Sequence, residues 1–252
     1  MHLFLNSSKL YIFICYIYVS KSDERTEESM DYTTPVKMPR GAHYGSNYYE
    51  FMSIKLKRIV TAFSSLEYWN QICLEMDYQV EKYCEQPLET DVFFDGQTHR
   101  TVFDVWVRYK DGQEEFQEIK FAEELEDEKA ISGRSYRQIA IQKAWCEQNG
   151  KRYVVKTDRD IMLGTHYIRN LLYLYPKVLR LECTETIAEK HILKFISDRG
   201  TTTVGCLINS GIISAQNGID ILASLFYKGA ICFGNLDNEP FGFAMEVHID
   251  GK

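Results

Sequence analysis

From Ile54 onward, apolar and polar positions fall into regular periods. Residues 54–63 (IKLKRIVTAF) alternate as a strand does. Ser64 or Ser65 then caps a predicted helix running to about Asp77, with Leu66, Trp69, Ile72, Cys73 and Met76 on one face. Gln86-Pro87 interrupts the chain, and three strand-like runs follow at 88–94, 99–109 and 114–121. The last two flank Lys110-Asp111-Gly112, a hairpin signal. An acidic, loop-like stretch over 122–133 leads to a helix over 135–149 that ends at Asn149-Gly150. A short strand follows at 152–156, then a helix over 158–175 that stops at Pro176. Composition shifts near Arg180. Helices over 185–199, 202–209 and 214–228 precede two strands, 230–235 and 241–248, around Asn238-Glu239-Pro240. Three helices followed by a hairpin is the order of a winged helix. No internal repeat is evident.

The first residues stand apart. KLYIFICYIYVS at 9–20 is too short to span a bilayer, which needs about 20 apolar residues. It has the length of a signal-peptide core, but only Lys9 precedes it as positive charge and no small-residue cleavage site follows. The polar stretch KSDERTEES comes next, and Met30 and Met38 both offer later starts, so translation is expected to begin at one of them. Intact-mass measurement of the natively expressed protein tests this. Segment 31–46, punctuated by Pro and Gly, is expected to be a mobile arm. The expected organisation is therefore a disordered or mis-started segment at 1–46, a first domain at 47–180 and a second at 181–252.

Composition adds limits. With 252 residues, 45% apolar and 26% charged, the chain is an ordinary globular α/β candidate. A net charge of −7 argues against coating nucleic acid by bulk attraction but leaves room for a local basic groove. Seven scattered cysteines without a C-x-x-C pair imply neither a disulfide framework nor a zinc site, and fit reduced thiols in a cytoplasmic protein.

Three short pieces carry candidate chemistry: Ser64-Ser65-Leu66-Glu67 at a helix start, Phe103-Asp104-Val105-Trp106 in a strand, and Gln117-Glu118-Ile119-Lys120 in the next strand. Alternate strand residues share a face, so Glu118 and Lys120 point the same way. If Asp104 joins them, two carboxylates can hold Mg²⁺, which takes oxygen ligands, and Lys120 can position a water or neutralise a phosphate. Register tests this. A two-residue Asp-Gly turn places Asp104 opposite Ile119, on the wrong face. A three-residue loop, with Gly112 left-handed as a bulge, places it opposite Glu118. Alone, E-x-K is commonly a solvated charge pair. An aspartate inside the apolar run around Phe103 and Val105 is costly unless paired or metal-bound. Glu67 is evenly open between ligand and cap, because Ser64-x-x-Glu67 is also a capping box.

The stretch SSLEYW…DYQVEKYCEQP…FDVWV…QEIK, continuing through YVVKTDRDI at 153–161 and Asn170-Leu171-Leu172, resembles the catalytic domain of TnsA. TnsA is the endonuclease subunit of bacterial heteromeric cut-and-paste transposases. The resemblance covers roughly 54–180 and, more loosely, the tail to 250. It implies a restriction-endonuclease-like core, a mixed sheet flanked by helices, followed by a small winged-helix-like domain. It also implies Mg²⁺-dependent cleavage (with Mn²⁺ as a substitute) at the 5′ ends of the transposon, with a TnsB-like transposase and a TnsC-like ATPase as partners. By motif, Glu67 matches the helix glutamate, Asp104 the strand aspartate, Glu118 the second strand acid and Lys120 the lysine. Phe103 stands where a proline often precedes the aspartate, and some relatives carry glutamine in place of Glu118.

Weaker DNA-contact candidates are Lys55, Lys57 and Arg58 before the first helix, and Arg134, Arg137, Gln138, Gln142 and Lys143 on the helix after the E-x-K strand. His99 and His166 lack metal-ligand spacing and are expected to be structural. The C-terminal unit has no basic reading face, and its wing carries Asp237 and Glu239, so protein docking is expected there rather than sequence readout. A stand-alone restriction or repair nuclease, and an inactive nuclease fold kept as an assembly subunit, are the alternatives.

Overall fold

The structure, a computed structural model, describes residues 32–38, 47–126, 133–180 and 187–249, all within one compact unit, Tyr32–Lys252. The expected leader at 1–31 and the stretch 39–46 lie outside the described residues.

The strand expected at 54–63 is instead the second half of a ribbon. Strands β1 (Tyr49–Met52) and β2 (Ile59–Ala62) pair antiparallel around a turn. Ser53 shapes that turn: its hydroxyl accepts from Leu56 N–H, and Lys57 takes a positive φ of 55°. Helix α1 (Ser65–Met76) starts where expected, with Ser64 as N-cap. Strand β3 (Val80–Glu85) carried no alternation signal, because Tyr83, Cys84 and Glu85 are buried in succession.

Strands β4 (Glu89–Phe94) and β5 (Gln97–Val102) form a separate hairpin closed by Asp95-Gly96, both at positive φ. The run expected as one strand at 99–109 therefore splits at Phe103-Asp104. Its second half is β6 (Val105–Tyr109), which pairs with β3 and with β7 (Glu114–Lys120). After a one-turn helix α2 (Glu123–Glu126), helix α3 (Arg134–Gln148) crosses over to β8 (Arg152–Thr157), which lies parallel to β7. The main sheet has the order β3-β6-β7-β8, mixed, with helices packed on it.

The helix expected at 158–175 is two. Helix α4 (Asp158–Ile161) ends before Gly164, whose backbone lies so close to the Asp237 carbonyl that a Cβ would sit 2.4 Å from it. Helix α5 (Tyr167–Val178) then runs through Pro176 rather than stopping there, its last turn held by the burial of Leu174, Tyr175 and Val178. Further on, α6 (Ile187–Arg199), β9 (Thr201–Thr203), α7 (Val204–Asn209), α8 (Gly218–Tyr227), β10 (Ile231–Phe233) and β11 (Glu246–Ile249) follow, with a small antiparallel sheet in the order β10-β11-β9. Strand β9 is an addition to the expected order. One core cluster bridges the boundary expected near 180, where Ile72, Leu171 and Leu174 share it with Ile192, Leu207 and Leu222.

A second core lies between the main sheet and α3, built from Phe103, Trp106, Phe116 and Trp145. Tyr32 completes it, edge-on to Phe116 at 4.9 Å, and Val36 N–H donates to the Gln86 carbonyl at 2.8 Å. Residues 32–38, expected to belong to a mobile arm, are docked because the aromatic ring finds an apolar seat. Among the described residues, no helix is long and apolar enough to cross a membrane.

Candidate active site

The β6–β7 turn sets the site. Tyr109 N–H donates to Gln113 O at 2.9 Å, leaving Lys110-Asp111-Gly112 as a three-residue connection with Gly112 at φ 85°. Asp111 Oδ1 accepts from Gln113 N–H at 2.9 Å and stiffens the turn. The register then runs Arg108↔Glu114 to Val105↔Gln117, so the next position outward sets Asp104 opposite Glu118. This is the bulged arrangement the chemistry requires, not the two-residue alternative.

Asp104 sits just beyond the end of β6, and its Oδ2 accepts Ile119 N–H at 2.8 Å. Glu118 is fully buried. Its Oε1 lies 2.5 Å from Lys120 Nζ, and its Oε2 is a buried oxygen with no hydrogen-bond partner. Burial first, and then the Asp104 charge, push the Glu118 carboxyl up to about 8, against the pull of Lys120. Burial draws Lys120 down, but Glu118 and Asp104 outweigh it and hold the ammonium above its ordinary value.

Glu67 caps its helix and also lines the cleft beside Asp104. Ser64 Oγ accepts Glu67 N–H at 3.1 Å, while Glu67 Oε2 reaches back to Phe63 N–H at 3.1 Å, one residue beyond the usual capping-box target. Burial and the charge of Asp104 also push Glu67 up to about 7, with Lys120 opposing. Asp104 therefore links electrostatically to Glu67 on one side and Glu118 on the other. Among the described residues, no three His, Cys, Asp or Glu side chains are grouped so that they could hold a metal ion. The acids are neighbours rather than a finished cage.

Glu67 and Asp104 line a cleft of about 500 Å³, together with Arg134, Arg137 and Gln138 of α3 and residues Thr98 to Val102 of β5. The other basic candidates lie elsewhere. Lys55 Nζ donates to the Asp77 and Val80 carbonyls, and burial pulls its ammonium down to about 8. Arg58 grips Glu85 with two bonds of 2.6 and 2.7 Å. Both are braces within the fold. Lys57 is exposed on its turn, and Lys143 lies 4.0 Å from Glu147 on the outer face of α3. Gln142 is buried, donating to Thr101 Oγ1 and Val102 O and accepting from Tyr153 OH at 2.7 Å, so it organises the wall rather than meeting solvent.

Sequence reasoning missed His99 and Arg100 as cleft residues, and Tyr153, whose phenol is kept protonated by burial and by Glu118 and Asp104. The polar run Thr98-His99-Arg100-Thr101 directly before Phe103-Asp104 was the available signal. In the C-terminal unit, the backbone carbonyls of Asp237 and Glu239 accept from His166 N–H and Asn170 Nδ2. The acidic loop is thus tied back onto α5.

Residues 77–158 match the family model described as TnsA-like endonuclease N terminal. The resemblance read from the sequence is borne out over this stretch, and it supports nuclease activity of the Tn7 transposase type. Asp104, Glu118 and Lys120 lie inside the matched residues, whereas Glu67 lies outside them. No curated protein matches the chain.

Proposed function

We propose that the protein is a metal-dependent DNA endonuclease subunit of a heteromeric cut-and-paste transposase that cleaves the 5′ ends of the transposon. What carries the reading is one observation: Asp104 lies opposite Glu118, with Lys120 two residues on, inside the stretch that matches the endonuclease family. The mixed four-stranded sheet with flanking helices agrees with the restriction-endonuclease-like core that the resemblance implies. The C-terminal unit is read as a winged helix, on the strength of its helix order and its three-stranded sheet.

A divalent cation, Mg²⁺ with Mn²⁺ as a substitute, suits the donors present. They are all oxygen, and Glu118 carries a buried oxygen without a partner. Glu67, Asp104 and Glu118, neighbours that are not grouped as a three-ligand set in this structure, would have to draw together to hold it. When bound, such an ion lowers the pKa of a water and offsets charge on a phosphodiester. Lys120, with 14% of its side chain exposed, keeps Glu118 oriented and would offer its ammonium to a phosphate or to the attacking water. Glu67 anchors its position through the helix cap, so helix start and site are fixed together. Arg134, Arg137 and Gln138 meet the DNA backbone.

The substrate is double-stranded DNA at transposon ends, the partners are TnsB-like and TnsC-like proteins, and the setting is the bacterial cytoplasm. The tied-back acidic loop favours protein docking by the C-terminal unit over sequence readout.

The test is a reconstituted cleavage assay with both partners, wild type against Asp104→Ala, with and without Mg²⁺. Mg²⁺-dependent 5′-end cleavage, lost in the variant, is expected, while the chain alone is nearly silent. Efficient cleavage without partners would instead indicate a stand-alone nuclease. A second reading, an inactive assembly subunit, draws on the lack of a grouped three-ligand set among the described residues. It requires Asp104→Ala to leave transposition intact.

A further inference from the structure

The β4–β5 hairpin stands outside the main sheet as a two-stranded ribbon. One of its faces is accounted for. Val92 is buried in the aromatic core, Phe94 packs against that core, and Thr101 binds Gln142 of α3. The opposite face is not. Phe93 is 70% exposed on it, paired across the ribbon with Thr98, and the next pair along the same face is Asp91 with Arg100. The Arg100 side chain is 69% exposed, and its ion pairs, 3.4 Å to Asp91 and 3.8 Å to Glu89, are with exposed carboxylates. Such surface pairs hold little free energy and are easily exchanged for a stronger anion.

The hairpin also forms one wall of the cleft. Arg100, His99 and Thr98 line it from β5, while Arg134, Arg137 and Gln138 line it from α3, with Glu67 and Asp104 also on its surface. The two walls touch where Arg137 Nη2 lies 3.4 Å from His99 Nε2. In a chain of net charge −7, this cleft lining carries three arginines against two carboxylates, Glu67 and Asp104, and the arginines lie on its two facing walls. The first turn of α3 adds to it, having no acidic residue and no side-chain cap. The Asp95-Gly96 turn, with both residues at positive φ, matches the natural twist of the ribbon and keeps it stiff.

We infer that the β4–β5 ribbon is a DNA-gripping arm: it lies in a groove of the duplex beside the scissile phosphate, with Arg100 and Arg137 on backbone phosphates and Phe93 against the bases. The inference rests on the nuclease reading for the choice of polyanion. A two-stranded ribbon fits the major groove of B-DNA. An aromatic beside a guanidinium gives an apolar surface for base edges, such as thymine methyls, flanked by a phosphate ligand. Continuity with the cleft that holds Asp104 argues for the same DNA that is cut.

The full chain is titrated against a fluorescein-labelled mixed-sequence duplex by anisotropy over a range of NaCl, without divalent cation so that nothing is cleaved. Arg100→Ala and Arg137→Ala should each weaken binding and reduce the slope of log K against log salt by about 1, the signature of one lost phosphate contact. Arg100→Lys should keep the slope. Phe93→Ala should weaken binding several-fold at unchanged slope, while Lys143→Ala, on the outer face of α3, should change neither. Unchanged melting temperatures exclude misfolding as the cause. Wild-type affinity and slope in both Arg100→Ala and Phe93→Ala would overturn the arm, as would a wild type that binds no duplex. If the reconstituted protein never cleaves yet these variants lose binding as described, the nuclease reading fails and the arm stands. If cleavage is seen and the variants bind normally, the arm alone fails.

Discussion

Two sets of buried carboxylates divide this molecule. Glu75 has both oxygens engaged: Oε2 accepts from Ser53 Oγ at 2.7 Å and Tyr83 OH at 2.8 Å, and Oε1 from Lys55 N–H at 2.7 Å. Glu115 is similar, with Tyr109 OH and Gln117 Nε2 on Oε1 and Arg152 at 3.2 Å from Oε2. Glu118, only three residues along the same strand, has one short contact to Lys120 and a buried oxygen with no hydrogen bond. Burial is the same, yet donor supply differs. Where hydroxyls and N–H groups meet both oxygens, the acid is part of the framework. Where they do not, the unmet capacity of Glu118, the neighbouring Asp104 and an adjacent ammonium are the features on which the proposed site rests.

The sharpest division is expected in Asp104→Ala. In the reconstituted assay its cleavage rate should fall on the order of 10³-fold, since several kcal/mol of transition-state stabilisation are at stake, with little change in melting temperature, because the stranded Ile119 N–H is offset by relieved repulsion at Glu67 and Glu118. Glu75→Ala should do the reverse. It strands Ser53, Tyr83 and the Lys55 amide, so urea unfolding should show a loss of about 3 kcal/mol, while the folded fraction still cleaves.

A smaller effect separates the two sets by pH. Glu67 and Glu118 take up protons more readily folded than unfolded, being pushed up to about 7 and about 8. Between the ordinary carboxylate range and those values the folded state binds more protons, so stability of the metal-free protein should fall as pH rises from about 5 to about 8. Asp104→Asn removes a charge that raises both groups, so its stability should fall less steeply. A steeper fall in that variant would break the comparison. Added Mg²⁺ should raise the melting temperature more at pH 8 than at pH 6, because fewer protons then compete for the oxygens. The smallest effect belongs to the braces. Lys55→Ala and Arg58→Ala should lower stability by about 1–2 kcal/mol without altering the salt dependence of DNA binding.

How much of this was legible in the sequence depended on whether the cause was local. Ser64 or Ser65 announced the start of α1, and Lys110-Asp111-Gly112 announced the hairpin, because caps and turns are decided by neighbouring residues; of the two registers the turn left open, the structure takes the one that sets Asp104 opposite Glu118. Strand β3 was invisible, since successive burial of Tyr83, Cys84 and Glu85 erases alternation. The break between β5 and β6 was hidden because Phe103 and Asp104 continue the polar–apolar rhythm. The gap between α4 and α5 comes from Gly164 against Asp237, a contact made across the fold. Lys55 and Arg58 looked like DNA ligands because their partners, the Asp77 carbonyl and Glu85, lie more than twenty residues away. For Glu67 the sequence offered cap or ligand as a choice; the structure shows the cap, and places the same residue on the cleft wall near Asp104.

The turn at Lys110–Gly112 acts on atoms it never approaches. Lys110 lies six positions along the strand from Asp104, about 20 Å at the usual rise per residue. Yet the length of that loop decides which side of the sheet the aspartate faces. Substitutions within the loop should be tolerated as long as position 112 accepts its left-handed backbone. Adding or deleting a single residue there would slide one strand along the other and carry the carboxylate away from its companions, leaving a folded protein whose blade has been turned in its handle.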